Sequence, residues 1–362
     1  MRVAFISRAT LFSSPGGDTK QVERTAHHLR ALGVAVDIFC TNERIDYTQY
    51  DLLHFFNIIR PADIICHIKA SGKPYVVSTI FVEYDGVKTE GSGGLQGLLR
   101  KVFSATQLEY IKVIARALKN GEKIMSREYL WMGHKKAMHY VAGHAACLLP
   151  NSQSEYNRFA AACHVSVPYH VVPNGIDEEA TQQQYPHSDQ YKDAVLCMGR
   201  IEARKNQLNL IRALNNTPYR VFIHGRPSPN NMAYYEQCRA EAAPNITLGD
   251  WLEQQELFTA YANAKVHILP SWFETTGLSS LEAAVMGCNI VVTDKGDTRD
   301  YFGNDAWYCE PDDISSIKAA VDKAFSAPYD ALFRKRILQQ YTWRRAGEET
   351  LAAYKKYCFK DQ

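Results

Sequence analysis

The sequence has no apolar run long enough to cross a bilayer, and its cysteines form no close pair. The nine cysteines are scattered, which argues against a disulfide scaffold or a zinc motif and favours a reducing compartment. The first residues, MRVAFIS, hold one basic residue before a short apolar run, so we expect a first strand there and no signal peptide. Together these features predict a cytoplasmic protein.

An excess of one charge is also missing, since 41 Lys and Arg stand against 39 Asp and Glu. The net charge of +2 therefore says little about partners. Apolar residues make up 46% of the chain and charged residues 22%, which is typical of a soluble folded protein. Because 362 residues exceed one domain of common size, we expect two lobes, each with its own core.

Short apolar runs alternate with amphipathic segments along the chain, which favours parallel sheets covered by helices. In the first half, these runs predict strands at 3–6, 34–40, 51–56, 74–82 and 145–150. The alternation restarts in the second half, with strands at 194–200, 219–225, 245–249, 266–271 and 289–294. The fold class is therefore α/β, with two Rossmann-like, doubly wound parallel-sheet domains.

The stretch VVPNGID at 171–177, followed by a polar run, predicts a final strand, a turn and a linker. We place the domain boundary there, which gives an N-terminal domain of 1–175 and a C-terminal domain of 176–342. A last amphipathic helix, about 343–360, is expected to pack back on the first domain. We expect the domains to face a central cleft, with ligands at the carboxyl ends of the strands.

The segment from Pro270 to Gly287 passes from a strand end through a loop into a helix. A helix that begins near Gly277 presents free N–H groups and a positive dipole end, which suits a phosphate. Glu274 precedes this helix and Glu282 lies inside it, so two carboxylates could accept hydrogen bonds from the hydroxyls of a sugar. Taken alone, the pair would also suit one capping and one surface glutamate.

Two cations are predicted at the same strand edge. Arg200 ends the first strand of the second domain and Lys205 begins the following helix, so the two could clamp a diphosphate. A solvated basic loop is the competing interpretation. In the first domain, Gly16 and Gly17 lie in a loop where backbone N–H groups could approach a phosphate closely, which is weak support by itself.

In this order the segments resemble glycosyltransferase family 4, a large retaining family with the two-domain GT-B fold. The resemblance covers nearly the whole chain and is carried by PGGDTKQV, VVPNGID, GRIEARKNQ, the stretch from Glu274 to Glu282, and YTWRRAGEETLAAYKKY. It implies a nucleotide-sugar as donor substrate and no cofactor. It also implies catalysis without a divalent metal, and the sequence shows no Asp-x-Asp motif.

The resemblance also assigns roles to single residues. Arg200 and Lys205 would bind the donor diphosphate, Glu274 would hold the transferred sugar and Glu282 the ribose hydroxyls. Gly17, with Gly16 beside it, would approach the diphosphate from the first domain. The residues expected to contact sugar and phosphate through their backbone are Thr275, Thr276, Gly277 and Leu278.

Two positions depart from the family pattern. Many members have Thr-Ile-His after a first-domain strand, whereas this chain has Phe81 where that histidine would stand. Glu83 and Asp85 are the nearest groups that could take the acceptor's proton, with surface carboxylates as the competing interpretation. His54 is interpreted as a strand-end residue. The second departure, Thr275-Thr276 in place of Gly and an aromatic residue, could alter sugar selectivity.

The stretch 97–140 is basic and partly amphipathic, with nine Lys or Arg against three Glu. It could contact an anionic membrane peripherally at its inner face, or it could be an ordinary helical face. Nucleic acid is not expected as a partner, because no recognised nucleic-acid-binding module accompanies the charge.

These inferences predict a retaining hexosyltransferase that uses a UDP- or GDP-sugar and a glycan or lipid-linked acceptor, in bacterial cell-surface polysaccharide or lipopolysaccharide synthesis. Two alternatives stay open: an inactive sugar-binding subunit, and a nucleotide-sugar epimerase or phosphorylase of the same fold. A nicotinamide-dependent oxidoreductase is disfavoured because no G-x-G-x-x-G fingerprint is present.

Overall fold

A computed structural model describes residues 1–82 and 127–359 of the chain. These residues divide into two compact units. The first unit contains residues 1–82, 127–174 and 343–359, and the second contains residues 175–342.

A parallel five-stranded sheet forms the centre of the first unit, in the order β2-β1-β3-β4-β5. Its strands are short and almost wholly buried, as expected where helices cover both faces of a sheet. Register is set by pairs such as Val3 with Val36 and Leu53 with Tyr75. The strands are β1 (Arg2–Ser7), β2 (Ala35–Cys40), β3 (Leu52–Phe56), β4 (Tyr75–Ser78) and β5 (Cys147–Leu149).

Helices of the first unit follow its strands. The longest of them, α1, begins after Gly16 and buries an apolar stripe that includes Val22, Ala26 and Leu29. Ser152 caps α5, since its hydroxyl accepts the Glu155 N–H at 2.9 Å. The helices are α1 (Gly17–Ala31), α2 (Pro61–Ser71), α3 (Arg127–Met132), α4 (His134–His144) and α5 (Gln153–Cys163).

The second unit has a parallel six-stranded sheet in the order β11-β10-β9-β6-β7-β8. In chain order within the unit this is the Rossmann arrangement 3-2-1-4-5-6. The strands are β6 (Val195–Met198), β7 (Val221–His224), β8 (Ile246–Gly249), β9 (Val266–Leu269), β10 (Asn289–Thr293) and β11 (Trp307–Cys309).

Helices pack on this second sheet and close one continuous apolar core. They are α6 (Glu178–Gln182), α7 (Gln207–Leu214), α8 (Met232–Glu241), α9 (Gln254–Asn263), α10 (Leu278–Met286), α11 (Thr298–Phe302), α12 (Ile314–Ser326) and α13 (Ala331–Gln340).

The last helix, α14 (Trp343–Tyr357), belongs to the first unit and packs against α1. Gly347 allows the close approach, because a Cβ there would lie 2.7 Å from the Cβ of His28. The Tyr354 hydroxyl is 2.6 Å from Nδ1 of His54, whose Nε2 is 2.8 Å from the Ser78 hydroxyl. Burial lowers the pKa of His54 to about 3, so the imidazole is neutral and ties α14 to β3 and β4.

The predicted fold class is confirmed, but four local predictions are wrong. No strand forms at 171–172: the Val172 N–H donates to the Pro150 carbonyl at 2.8 Å, but Pro150 has no N–H to donate in return, so pairing with β5 stops at the isolated bridge of Tyr169. The predicted linker begins with helix α6. The predicted strand 74–82 ends at Ser78, before a left-handed residue. His54 lies inside β3, not at its end.

No helix within 1–82 or 127–359 is both long and apolar enough to span a membrane. In the same parts of the chain, no three His, Cys, Asp or Glu side chains are grouped so as to hold a metal ion.

Candidate functional site

The strand order of the second sheet reverses between β6 and β9, which lie side by side. In doubly wound folds, ligands bind at such a switch point, beyond the carboxyl ends of the two strands. The loops that leave these ends are residues 199–206 after β6 and 270–277 after β9. They carry most of the residues that the sequence predicted for the donor.

Backbone and side-chain hydrogen bonds join these two loops. The Trp272 N–H donates to the Arg204 carbonyl at 3.0 Å, and Nη1 of Arg204 donates to the Phe273 carbonyl at 3.0 Å. Nδ2 of Asn206, a left-handed residue with φ of 61°, donates to the Pro270 carbonyl at 2.9 Å. The loops are therefore fixed to each other over their whole facing length.

At the centre of this pairing, Nζ of Lys205 lies 2.6 Å from Oε2 of Glu274. The two side chains are only 14% and 6% exposed, so this is a buried ion pair. The Ser271 hydroxyl donates to the same carboxylate oxygen at 3.0 Å. Burial alone would raise the pKa of Glu274, but the charges of Lys205 and Arg204 and the hydrogen bonds from Lys205 and Ser271 outweigh it and lower that pKa.

The backbone of Glu274 is held against the loop that follows β10. Its N–H donates to the Lys295 carbonyl at 3.0 Å, and its carbonyl accepts from the Asp297 N–H at 2.9 Å. Between them, Gly296 has a φ of 106°, and a Cβ there would lie 2.0 Å from the Glu274 carbonyl oxygen. Only glycine permits this approach, and the direction of the Glu274 side chain is fixed as a result.

Helix α10 begins directly after the loop 270–277. Gly277 is the cap residue, with a left-handed φ of 66°, and its carbonyl accepts the N–H groups of Ser280 and Leu281 at 2.8 and 3.1 Å. The N–H groups of Leu278 and Ser279 precede the first bond of the helix and stand at its positive end. This end of α10 can therefore bind a negatively charged group beside the Lys205–Glu274 pair.

Three further predicted residues lie on or before α10. Thr275 is half-buried, whereas Thr276 is buried and donates from its hydroxyl to that of Tyr301 at 3.3 Å. Glu282 lies in the second turn of the helix and is also buried.

Arg200 lies at the same sheet edge, two residues beyond β6, with an exposed side chain. Its carbonyl accepts from Nε2 of Gln207 at 2.9 Å, so its backbone is held while its guanidinium faces solvent. The Ser279 hydroxyl donates to the Met198 carbonyl at 3.1 Å and links α10 to the end of β6. The second unit thus brings together the predicted residues Arg200, Lys205, Glu274 and Glu282 with the backbone of 275–278.

Gly16 and Gly17 belong to the first unit, where Gly16 precedes α1 and Gly17 is its first residue. The Gly16 N–H donates to the Thr19 hydroxyl at 3.0 Å, and that hydroxyl donates to the Leu11 carbonyl at 3.0 Å. Gly16 is extended, with φ of −154°, so its backbone does not demand glycine.

Arg8 holds the rest of this loop. Its Nε and Nη2 donate to the carboxylate of Asp18 at 2.5 and 3.0 Å. Nη1 donates to the carbonyl and hydroxyl of Thr10 at 2.7 and 2.8 Å, and Nη2 also donates to the Ser14 carbonyl at 2.8 Å. The loop with Gly16 and Gly17 is therefore shaped by its own side chains.

Some predicted features lie outside the described residues. Glu83 and Asp85 are among them, as is the basic stretch up to residue 126. In the part of 97–140 that is described, Lys135 and Lys136 are exposed and Trp131 is 93% exposed.

Sequence reasoning missed the supporting residues Ser271, Arg204 and Gly296. Ser271 stands three residues before Glu274, and Arg204 directly precedes Lys205. Their closeness in sequence to the predicted residues could therefore have identified Ser271 and Arg204. Gly296 follows a different strand, and no local pattern connects it to Glu274.

Residues 177–340 match the family model described as Glycosyl transferases group 1. The chain is 25% identical over 223 residues to the alpha-maltose-1-phosphate synthase of Mycobacterium tuberculosis, a match that covers 52% of this chain and 57% of that protein. The chain thus spans little more than half the length of this curated relative.

Whole-chain likeness is seen with solved structures. A sucrose-phosphate synthase from Thermosynechococcus elongatus aligns with a TM-score of 0.74 at 15% identity, covering 98% of both chains. Anabaena HepE, solved in complex with UDP, aligns with a TM-score of 0.67 at 12% identity, covering 98% of this chain and 100% of HepE. The fold is therefore GT-B, the two-domain glycosyltransferase fold. The match to the glycosyl transferases group 1 covers almost all of the second unit, in agreement with the family resemblance of its motifs.

Proposed function

We propose that the chain is a glycosyltransferase that moves a hexose or related sugar from a UDP- or GDP-sugar to a glycan or lipid-linked acceptor, with retention of configuration. The proposed setting is the synthesis of bacterial cell-surface polysaccharide or lipopolysaccharide. No divalent metal is required in this proposal, because side-chain cations would take its place.

The observation that carries the proposal is the buried Lys205–Glu274 pair beside the N-terminus of α10. A fixed cation and a helix N-terminus are suited to a diphosphate, and a fixed carboxylate is suited to sugar hydroxyls. Because these groups are held by neighbouring loops, they need little reorganisation when charge develops on the departing nucleoside diphosphate. Arg200, exposed at the same edge, would add a second cation.

The relatives support the same chemistry. The family model covers the unit that holds the site, and the curated relative named above is a synthase of a sugar phosphate. HepE, which shares the fold, was solved with UDP bound. A nucleoside diphosphate is therefore the ligand class to test first, with a retaining transfer as the proposed reaction.

A second candidate is a sugar-binding subunit without turnover, and Phe81 favours it. Phe81 is buried and packs on Phe159 with ring centroids 5.3 Å apart, so this position supplies no imidazole to a substrate. Measured turnover decides between the two candidates.

Binding is tested by thermal shift with UDP, GDP, ADP, CMP and NAD, each with and without EDTA. A ligand at 100 times its Kd should stabilise the native state by about 2.7 kcal/mol. We expect stabilisation by UDP or GDP that EDTA does not change, and a much smaller effect in Arg200→Ala. Lys335→Ala, which removes an exposed cation elsewhere in the second unit, is the matched control. Stabilisation by NAD alone, or by nothing, would contradict the donor site.

A further inference from the structure

Ile80, two residues beyond β4, has a backbone φ of 44°. A β-branched residue is strongly disfavoured in this left-handed region, because its Cβ substituents crowd the backbone. Such a conformation persists only where surrounding contacts impose it, and strain of this kind is concentrated at functional sites.

The carboxylate of Glu155 holds the chain on both sides of this left-handed residue. Oε1 of Glu155, on α5, accepts the Thr79 hydroxyl and also the Phe81 N–H, the latter at 2.7 Å. These two donors flank Ile80 on either side, so the turn between them is closed on one oxygen atom. Glu155 and Thr79 are fully buried.

Glu155 is itself held from two directions. Its N–H donates to the Ser152 hydroxyl that caps α5. Its second oxygen accepts the Asn151 N–H at 2.7 Å, at the carboxyl end of β5. The carboxylate therefore joins the segments that leave two neighbouring strands.

The network continues to α1. Nε2 of Gln21 donates to Oδ1 of Asn151 at 2.8 Å, and both side chains are buried. Gln21 lies one turn beyond Gly17 on the same helix. The shape of the segment after β4 is thus linked by hydrogen bonds to the helix that carries the predicted glycine loop.

All of these groups lie at the carboxyl edge of the first sheet, where doubly wound domains bind their ligands. We propose that Glu155 is a positioning residue, which clamps Thr79, Ile80 and Phe81 in a strained turn and so shapes the acceptor side of the site for turnover. The inference rests on the proposed glycosyltransferase function and concerns the first unit alone.

The proposal is tested with UDP-glucose and GDP-mannose, using water as the acceptor and following release of the nucleoside diphosphate. Glu155→Gln keeps the shape of the side chain but has one acceptor oxygen in place of two, so it cannot accept from the Asn151 N–H and from the Thr79 and Phe81 donors at the same time. Thr79→Val removes one donor of the clamp without changing its volume. For both variants we expect kcat to fall about tenfold or more, while the Kd for UDP or GDP, bound by the second unit, stays within about twofold.

Ile80→Gly tests whether the hold on the turn, and not the strained Ile80 side chain itself, matters for turnover. Glycine accepts a positive φ without strain and leaves both donors to Glu155 in place, so the turn stays held: the melting temperature should be retained or rise, and kcat should stay within about twofold of the wild type. His164→Gly is the matched control, since it relieves a left-handed φ of 52° at the exposed end of α5. It should leave kcat unchanged.

Unchanged kcat in Glu155→Gln and Thr79→Val would overturn the proposal. If the wild type neither binds nor cleaves any of these nucleotides, the proposed glycosyltransferase function is wrong. The hold of Glu155 on residues 79–81 is then tested by hydrogen exchange. Exchange of the 79–82 amides should accelerate about tenfold or more in Glu155→Gln, with β3 as the internal reference, and unchanged exchange would again overturn it.

Discussion

Replacing Lys205 by alanine should destabilise the second unit, because the Glu274 carboxylate then stays buried without the lysine charge. Glu274 is 6% exposed and cannot move to solvent, because its backbone is pinned to the loop after β10. Breaking a buried ion pair by removing one partner costs about 3–5 kcal/mol. The Lys205 side chain is partly reached by solvent and Arg204 remains nearby, so we expect about 3 kcal/mol.

The assay is urea unfolding followed by tryptophan fluorescence, since Trp251, Trp272 and Trp307 all lie in the second unit. With a slope of about 2–3 kcal/mol per molar urea, the loss corresponds to a midpoint lower by roughly 1 M. The double variant Lys205→Ala/Glu274→Gln removes both charges and should recover more than half of that loss.

The pH dependence of the same variant gives an independent check. Because the folded pKa of Glu274 is lowered, its stabilising interaction is present above the usual carboxyl pKa and is lost as the pH falls through the folded pKa. The gap between wild type and Lys205→Ala should therefore narrow below about pH 4. A cost under about 1 kcal/mol, or a double variant no more stable than the single one, would refute the reasoning.

Two further predictions concern stability. Gly296→Ala places a Cβ 2.0 Å from a backbone carbonyl oxygen. Gly287 is the matched control, because it has a similar φ of 111° but lies in open space. In urea unfolding, Gly296→Ala should cost about 1–3 kcal/mol more than Gly287→Ala. Equal losses would contradict this. Burial lowers the pKa of His54 and His267 to about 3, so the unfolded chain binds protons that the native state does not. The free energy of unfolding should therefore decrease as the pH drops below about 6.5, with a slope that approaches 1.4 kcal/mol per pH unit for each histidine. A urea midpoint that stays constant between about pH 7.5 and 5 would be inconsistent with this prediction.

The fold was predictable because its signals are local. Apolar runs of strand length and the helices between them can be recognised without knowing which strands pair. β11 was missed because it has only three residues, two of them half-buried, and lacks a continuous apolar run. The predicted strand 74–82 was too long because Glu155 turns the chain at Ile80 through contacts with Phe81 and Thr79, across 74 and 76 positions, which no local pattern encodes.

Within the candidate site, sequence reasoning located the residue types but not their partners. Lys205 and Glu274 were assigned to different parts of the donor, whereas in the structure they also bind each other. That pairing depends on β6 lying beside β9, which is a property of the sheet order. The roles of these residues toward a ligand, and those of Gly16 and Gly17, stay predictions.

The central claim, transfer from a nucleoside diphosphate sugar, is tested most directly by incubating the protein with UDP- and GDP-hexoses and measuring released nucleoside diphosphate by anion-exchange chromatography, with and without EDTA. The account predicts release from one of these donors, unaffected by EDTA and strongly reduced in Arg200→Ala but not in Lys335→Ala. No release from any donor by a folded protein that binds the nucleotide would contradict transfer and favour the sugar-binding subunit.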